Sequence, residues 1–249
     1  MLIFEAMNNA IVVIPTYNEK ENAEAIIRKV LSLEVPFDVL MVDDNSPDGT
    51  AAIIKNLQQE FPDRLFLEER QGKLGLGTAY IHGFKYALAR GYEYIFEMDA
   101  DFSHNPEDLI KLYKACSEEG YDVAIGSRYI KGVNVVNWPM NRVLMSYFAS
   151  YYVRLVTGMP IQDATAGFKC YTRKVLETIP LDEIKFIGYA FQIEMKFLAY
   201  KYGFRIKEVP IIFTDRTKGE SKMSKGIIQE AFYGVIRMKV DSFFRHFNR

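Results

Sequence analysis

The sequence predicts a doubly wound α/β sheet, mostly parallel, with helices on both faces. Three observations predict it. Short runs rich in β-branched and aliphatic residues recur along the first half, at 10–14, 37–42 and 94–97. Such runs, apolar on both faces, are what central parallel strands look like. Segments of helical spacing follow them, so strand, loop and helix alternate. The loops after the strands are polar, and in such sheets ligands bind beyond the carboxyl ends of the strands.

Residues 10–14, Ala-Ile-Val-Val-Ile, give a first strand that stops at Pro15. Thr16-Tyr17-Asn18-Glu19 follows, then residues 20–33 with Ala23, Ile26, Ile27, Val30 and Leu31 at helical spacing. Residues 37–42 form a second strand, which ends in Asp43-Asp44-Asn45-Ser46-Pro47-Asp48-Gly49-Thr50, a loop dense in acceptors and turn formers. Residues 50–61 are a second helix, and 65–68 a short third strand. Gln71-Gly72-Lys73-Leu74-Gly75-Leu76-Gly77 opens the next helix. Its spacing fits neither a dinucleotide fingerprint nor a P-loop. Lys73 could reach a phosphate, or the glycines could serve only a tight helix start.

Tyr94-Ile95-Phe96-Glu97-Met98-Asp99-Ala100-Asp101 is a strand that ends in two acids. Successive strand side chains point to opposite faces. Two carboxylates at i and i+2 can therefore converge on one ion if the chain bends as the strand ends. Mg²⁺ or Mn²⁺ is held by such pairs when a substrate phosphate completes the shell. A helix follows through Leu109, Ile110, Leu112 and Tyr113, and residues 122–127 form a strand leading into Arg128. An arginine there can pair bidentately with a diphosphate. The rhythm then changes. Residues 141–156 and 189–202 read as helices, with the loop Asp163-Ala164-Thr165-Ala166-Gly167-Phe168-Lys169 leading into Cys170-Tyr171 between them. Residues 205–213 read as one strand. Residues 214–222 form a basic loop without an apolar anchor, able to close over an anion. Residues 224–249 form an amphipathic helix with Lys225, Arg237, Lys239, Arg245 and Arg249 beside a run of phenylalanines. Such a helix can lie on an anionic bilayer, pack on the domain or meet a partner helix.

The 249 residues carry a formal net charge of -1, which gives no global pull toward nucleic acid. The two cysteines, Cys116 and Cys170, form no Cys-x-x-Cys pair, and the three histidines have no zinc spacing. A reduced, intracellular chain is expected. The start lacks the basic and apolar regions of a signal peptide, and the apolar stretch 143–153 is far short of the ~20 residues that span a bilayer.

Ile14-Pro15-Thr16-Tyr17-Asn18-Glu19, Val42 through Thr50, and Met98-Asp99-Ala100-Asp101 together resemble inverting glycosyltransferases of family 2 with the GT-A fold. Leu74 through Tyr80, Gly126-Ser127-Arg128-Tyr129, and Asp215-Arg216 through Ser221-Lys222 extend the resemblance to the polyprenyl-phosphate (dolichol-phosphate) mannose synthases, over nearly the whole chain. The resemblance implies a Rossmann-like catalytic unit over 1–223. Its nucleotide half is about 1–130 and its acceptor half about 131–223, with 224–249 as a contact helix. It implies that Pro15, Tyr17, Glu19, Val42 and Asp44 cradle the donor nucleoside. Asp99, Ala100 and Asp101 would hold ribose, diphosphate and metal. Ser103 stands where the family often has Gln, so Ser103, or a water in its place, would complete the metal shell. Arg128, Arg216 and Lys222 would bind donor and acceptor phosphates, with Asp99, Asp101 and Arg128 as the catalytic set. The expected activity moves mannose from GDP-mannose to a polyprenyl phosphate with Mg²⁺ or Mn²⁺. Asp163 and Glu194 are possible helpers without an assigned role. The expected location is the cytoplasmic face of a membrane, reached through the last helix or a small membrane partner. Three rivals remain open: UDP-glucose as donor, a nucleotidyltransferase, and a receiver-like module built on Asp43-Asp44.

Overall fold

A computed structural model describes residues 8–188, 190–216 and 225–247, with side chains of 225–231 left aside. The central sheet has seven strands in the order β3-β2-β1-β4-β7-β5-β8. These are β1 (Ala10–Thr16), β2 (Phe37–Asp43), β3 (Leu65–Glu69), β4 (Tyr94–Glu97), β5 (Val123–Ser127), β7 (Lys169–Thr172) and β8 (Ile206–Pro210). The pairs β1–β2, β1–β4, β2–β3 and β5–β8 are parallel. Along β1, Ala10, Val12 and Ile14 join one buried cluster while Ile11 and Val13 join another. That is the period-two alternation of a strand covered on both faces. Helices α1 (Ala23–Leu31), α2 (Thr50–Glu60) and α4 (Asp108–Ser117) lie over one face, and α3 (Leu76–Ala89) over the other. A Cβ on Gly83 would meet Val13 Cγ1 at 2.3 Å, so this glycine sets how closely α3 rides on β1.

Three expectations are corrected. The first strand runs through Pro15 to Thr16. Val13 bonds on the β4 side, where its carbonyl accepts from Met98, so the alternation places Pro15 on that side too. The β1–β4 ladder ends at Val13–Glu97, so the missing N–H of Pro15 falls beyond it. Second, Lys169, expected to close a loop, opens a strand, β7, which runs antiparallel to both β4 and β5 in a sheet that is otherwise parallel as expected. Third, the strand expected over 205–213 is two strands. β8 leaves the sheet at Pro210, and β9 (Phe213–Thr214) pairs with β6 (Val135–Val136) in a separate ribbon.

Past the sheet, α5 (Met140–Thr157) and α8 (Lys225–Phe244) pack side by side. Tyr152 stacks on Phe232 with ring centroids 4.7 Å apart, and its hydroxyl donates to the Phe232 carbonyl at 2.9 Å. Helix α7 (Ala190–Lys201) is buried along most of its length; it packs on α8, and its apolar side chains join the buried cluster on the α3 face of the sheet. Between β7 and α7 lie α6 (Arg173–Thr178) and a single 3₁₀ turn.

Candidate active site

The carboxyl ends of β1, β2 and β4 open on one crevice, and each is followed by a tight polar loop. Asn18, Asn45 and Phe102 sit at φ of 56°, 58° and 59°, one in each loop. A non-glycine residue in the left-handed region is uncommon, and such strain persists where the surroundings over-determine it.

The β1 and β2 loops brace one another. Asp43 accepts from the Thr16 hydroxyl at 3.0 Å and from Ser46 Oγ and N. Asn18 N donates to Ser46 Oγ at 2.9 Å, and Glu19 N to Thr50 Oγ1 at 3.1 Å. This brace presents the expected nucleoside residues. Pro15 and Tyr17 are half-buried, and the Lys73 ammonium lies 5.0 Å over the Tyr17 ring. Glu19 Oε2 accepts from Asn22 Nδ2. Val42 is fully buried in the core, level with Pro15 in the β1–β2 register. Asp44 accepts from Arg70 Nε at 2.6 Å, and Arg70 also donates to Thr78 Oγ1. Burial raises the Asp44 carboxyl, against the pull of Arg70.

The acid pair lies one strand over. Asp101 is 6% exposed and takes the Ser103 N–H on Oδ1 at 3.0 Å. Its Oδ2 lies 2.8 Å from the Arg216 guanidinium. The Asp99 side chain keeps 40% of its surface, with Tyr80 OH 3.4 Å from Oδ1 and His104 Nδ1 4.0 Å from Oδ2. Desolvation and the charge of Asp101 push the Asp99 carboxyl up to about 7. Burial pushes His104 down to about 4, so its ring is neutral near pH 7. Ala100 is buried between the two acids. A strap closes the floor: Thr214 N donates to the Ser103 carbonyl at 3.1 Å, and His104 bridges to Phe213.

These residues fit a divalent cation. The donors are hard oxygens, as Mg²⁺ and Mn²⁺ require. Ser103 Oγ is buried beside the pair without a hydrogen-bond partner, and so is His104 Nδ1. Among the described residues no group of three His, Cys, Asp or Glu could cage a metal alone. The acid pair would need a diphosphate or water to complete the shell.

Arg128 directly follows β5 and is no loose surface residue. Its Nε and Nη2 donate to Asp163 at 2.7 and 2.6 Å, and its carbon Cζ lies 5.2 to 5.6 Å from the ring centroids of Tyr129, Trp138 and Phe213. Glu194 accepts the backbone N–H groups of Lys185 and Phe186, which makes it a brace for that segment. Lys222 lies outside the described residues, as do 217–221 of the expected closing loop.

Several site residues escaped the sequence reading. Arg142 donates to both oxygens of Asp215, the chain neighbour of Arg216, at 2.9 Å and lies 4.1 Å over Trp138. Arg70 was invisible as the partner of Asp44. Lys169 and Lys196 are fully buried beneath the site. The only available signal for Arg142 was a basic residue beside Trp138 and Pro139 ahead of an apolar helix.

Residues 11–179 match the Glycosyl transferase family 2 profile. The chain is 47% identical over 225 residues to a polyprenol monophosphomannose synthase of Mycolicibacterium smegmatis, covering 90% of this chain and 84% of that protein. It is 44% identical over 225 residues to an undecaprenyl-phosphate mannosyltransferase of Micrococcus luteus, covering 90% and 91%. Two solved structures share the fold at 16% identity. One is a glucosyl-3-phosphoglycerate synthase of Mycobacterium tuberculosis with Mn²⁺ and UDP, at a TM-score of 0.65 over 94% of this chain and 79% of that one. The other is a mannosyltransferase of Pyrobaculum calidifontis with GDP-Man and Mn²⁺, at 0.55 over 95% and 74%. The crevice, the acid pair and the family match agree, and the chain belongs to glycosyl transferase family 2.

Proposed function

We propose that this enzyme transfers mannose from GDP-mannose to a polyprenyl monophosphate, with inversion at the anomeric carbon. The single observation that carries the reading is the Asp99–Asp101 pair at the end of β4, with a guanidinium already on Asp101 and a buried, unpartnered Ser103 Oγ beside it. The names of the two relatives supply the sugar and the lipid phosphate. The bonds of Asn18 to Ser46, Glu19 to Thr50 and Arg70 to Asp44 brace the nucleoside loops of Pro15, Tyr17, Glu19, Val42 and Asp44. Asp99, Asp101 and Ser103 would hold the cation, and Arg128, Arg216 and Lys222 the phosphates. A bound Mg²⁺ or Mn²⁺ supplies Lewis-acid stabilisation of the departing diphosphate. The arginines add preorganised positive charge where negative charge develops. A lipid monophosphate is already an anion near pH 7, so no strong general base is needed.

The acceptor is a lipid, so the protein must meet a bilayer. No helix among the described residues is long and apolar enough to cross one. Helix α8 turns Val235, Met238 and Ser242 inward but leaves Phe232, Tyr233, Ile236, Val240, Phe243 and Phe244 exposed. Helix α5 beside it exposes Met140, Leu144, Phe148, Tyr151 and Leu155. Tyr147 of α5 packs edge-on against Tyr129, the neighbour of Arg128. This apolar face borders the phosphate side of the site, and peripheral contact with the cytoplasmic leaflet through it is the reading we favour. A small membrane partner covering the same face is the second reading.

The test is direct. The protein is incubated with Mn²⁺, an undecaprenyl or dolichyl phosphate, and either GDP-mannose or UDP-glucose. Lipid-linked mannose from GDP-mannose is expected. Lipid-linked glucose alone would move the donor assignment, and no product with either donor, despite normal nucleotide binding, would remove the lipid acceptor.

A further inference from the structure

Arg128 is held by more than a contact. Asp163, fully buried, takes three N–H groups from this one residue: the backbone N at 2.9 Å, Nε at 2.7 Å and Nη2 at 2.6 Å. Thr165 Oγ1 takes Nη2 as well, at 2.8 Å. The Nε–Nη2 edge of the guanidinium is thus bound in the fork geometry that suits a carboxylate. Asp163 and Thr165 together take both hydrogens of Nη2. Burial alone would raise the Asp163 carboxyl, but the charge and hydrogen bonds of Arg128 outweigh it and hold it below the ordinary range.

The loop that carries Asp163 is itself pinned from below. Lys196 Nζ donates to the Ala166 carbonyl at 2.6 Å, and Lys169 Nζ lies 3.4 Å from the same oxygen. Lys169 also bonds Gln192 and pairs with Glu97 Oε2 at 2.9 Å, all of them buried. Glu97 is the last residue of β4, two before Asp99. From the other side, Glu208 of β8 accepts the backbone N–H groups of Gln162 and Asp163 at 2.7 and 2.8 Å. One continuous set of bonds therefore runs from the acid-bearing strand, through a buried lysine and a loop carbonyl, to the carboxylate that grips Arg128. Replacing buried ion pairs by apolar groups is often neutral or stabilising. Stability alone is then a weak reason for so many charges at this one place.

We propose that Asp163 is a positioning residue: with Thr165, it fixes the Arg128 guanidinium in place and orientation, so that it meets a substrate phosphate at a set distance from the Asp99–Asp101 pair. The proposal rests on the reading of Arg128 as a phosphate ligand. Asp163 touches no substrate and acts through Arg128 alone.

A double-variant cycle on transfer kinetics tests it, because residues that act through one another are non-additive. The full chain is assayed with GDP-mannose, Mn²⁺ and polyprenyl phosphate, and rates are normalised to folded protein. Arg128→Lys, which loses the fork, should lower kcat/KM by about 100-fold. Asp163→Asn should lower it by about 10- to 100-fold, and the double variant should be no worse than Arg128→Lys alone. GDP binding in the presence of Mn²⁺, measured by calorimetry, should fall in Asp163→Asn by no more than in Arg128→Lys, and no further in the double variant. Should Asp163→Asn fail to fold, Thr165→Val carries the same cycle with a smaller drop, about 3-fold, again absent in the Arg128→Lys background. Multiplying effects, or wild-type kinetics in the folded Asp163 or Thr165 variant, would overturn the proposal. Wild-type kinetics in Arg128→Lys itself would instead remove the phosphate role of Arg128, and the proposal with it.

Discussion

Arg216 sits where a divalent cation is expected to approach. Its guanidinium lies 2.8 Å from Asp101 Oδ2, with side chains 27% and 7% exposed. The arginine must therefore compete with a cation for that oxygen, and Arg216→Gln should tighten metal binding to the donor-free protein. The size of the effect follows from the pair. Two unit charges about 4 Å apart interact by about 4 kcal/mol at an effective dielectric of about 20. Solvent competition and the pinning of a long side chain leave about 1.5 kcal/mol for a charge-assisted bond of this exposure. That corresponds to roughly 10-fold in affinity. Mn²⁺ titrations followed by the electron paramagnetic signal of the free ion read it without turnover. The same variant should transfer mannose more slowly, because Arg216 is also assigned to the phosphates. Unchanged or weaker Mn²⁺ binding in donor-free Arg216→Gln would refute the idea that the arginine stands in for the metal.

Three further outcomes are expected. Lys169→Met leaves Glu97 charged and unpaired in the core, at a cost of about 3–5 kcal/mol. Adding Glu97→Gln should recover much of it in urea melts; a double variant as unstable as the sum of the singles would contradict the pairing. Asp99 binds its proton more tightly folded, at about 7 against the ~3.9 of an ordinary aspartate, so stability of the metal-free protein should fall as pH rises across that window. Asp99→Asn should remove this loss and, allowing for solvent screening, raise Tm by about 2–4 °C at pH 8 and not at pH 3.5, as scanning calorimetry would show. Phe243 and Phe244 are 71% and 84% exposed, so Phe243→Ser with Phe244→Ser should leave Tm unchanged and weaken flotation with anionic vesicles; equal flotation would exclude this face as the bilayer contact.

The first half of the chain was legible because its strands are buried on both faces and its site residues follow them directly. Runs such as 10–14 and 37–42 carry no charge in their interiors beyond Asp38, and the loops after them are unmistakably polar. The second half hides its logic in buried charge. Lys169 opens β7 and Lys196 lies inside α7, yet a lysine in a sequence reads as surface. The antiparallel β7 was missed because its short Lys-Cys-Tyr-Thr run offers too little periodicity. The break at Pro210 was missed because apolar residues continue through Ile211 and Ile212, although the chain there changes sheets. The acid pair was legible as a motif. The grip of Asp163 on Arg128 was not, because it joins residues 35 apart in the chain.

The most direct measurement is a crystal soaked with GDP-mannose and Mn²⁺, with anomalous scattering collected at the manganese edge. One strong peak is expected at Asp101, or at Asp99 and Asp101 together, beside the two phosphates of the nucleotide. A fully occupied nucleotide with manganese bound away from both acids would contradict it.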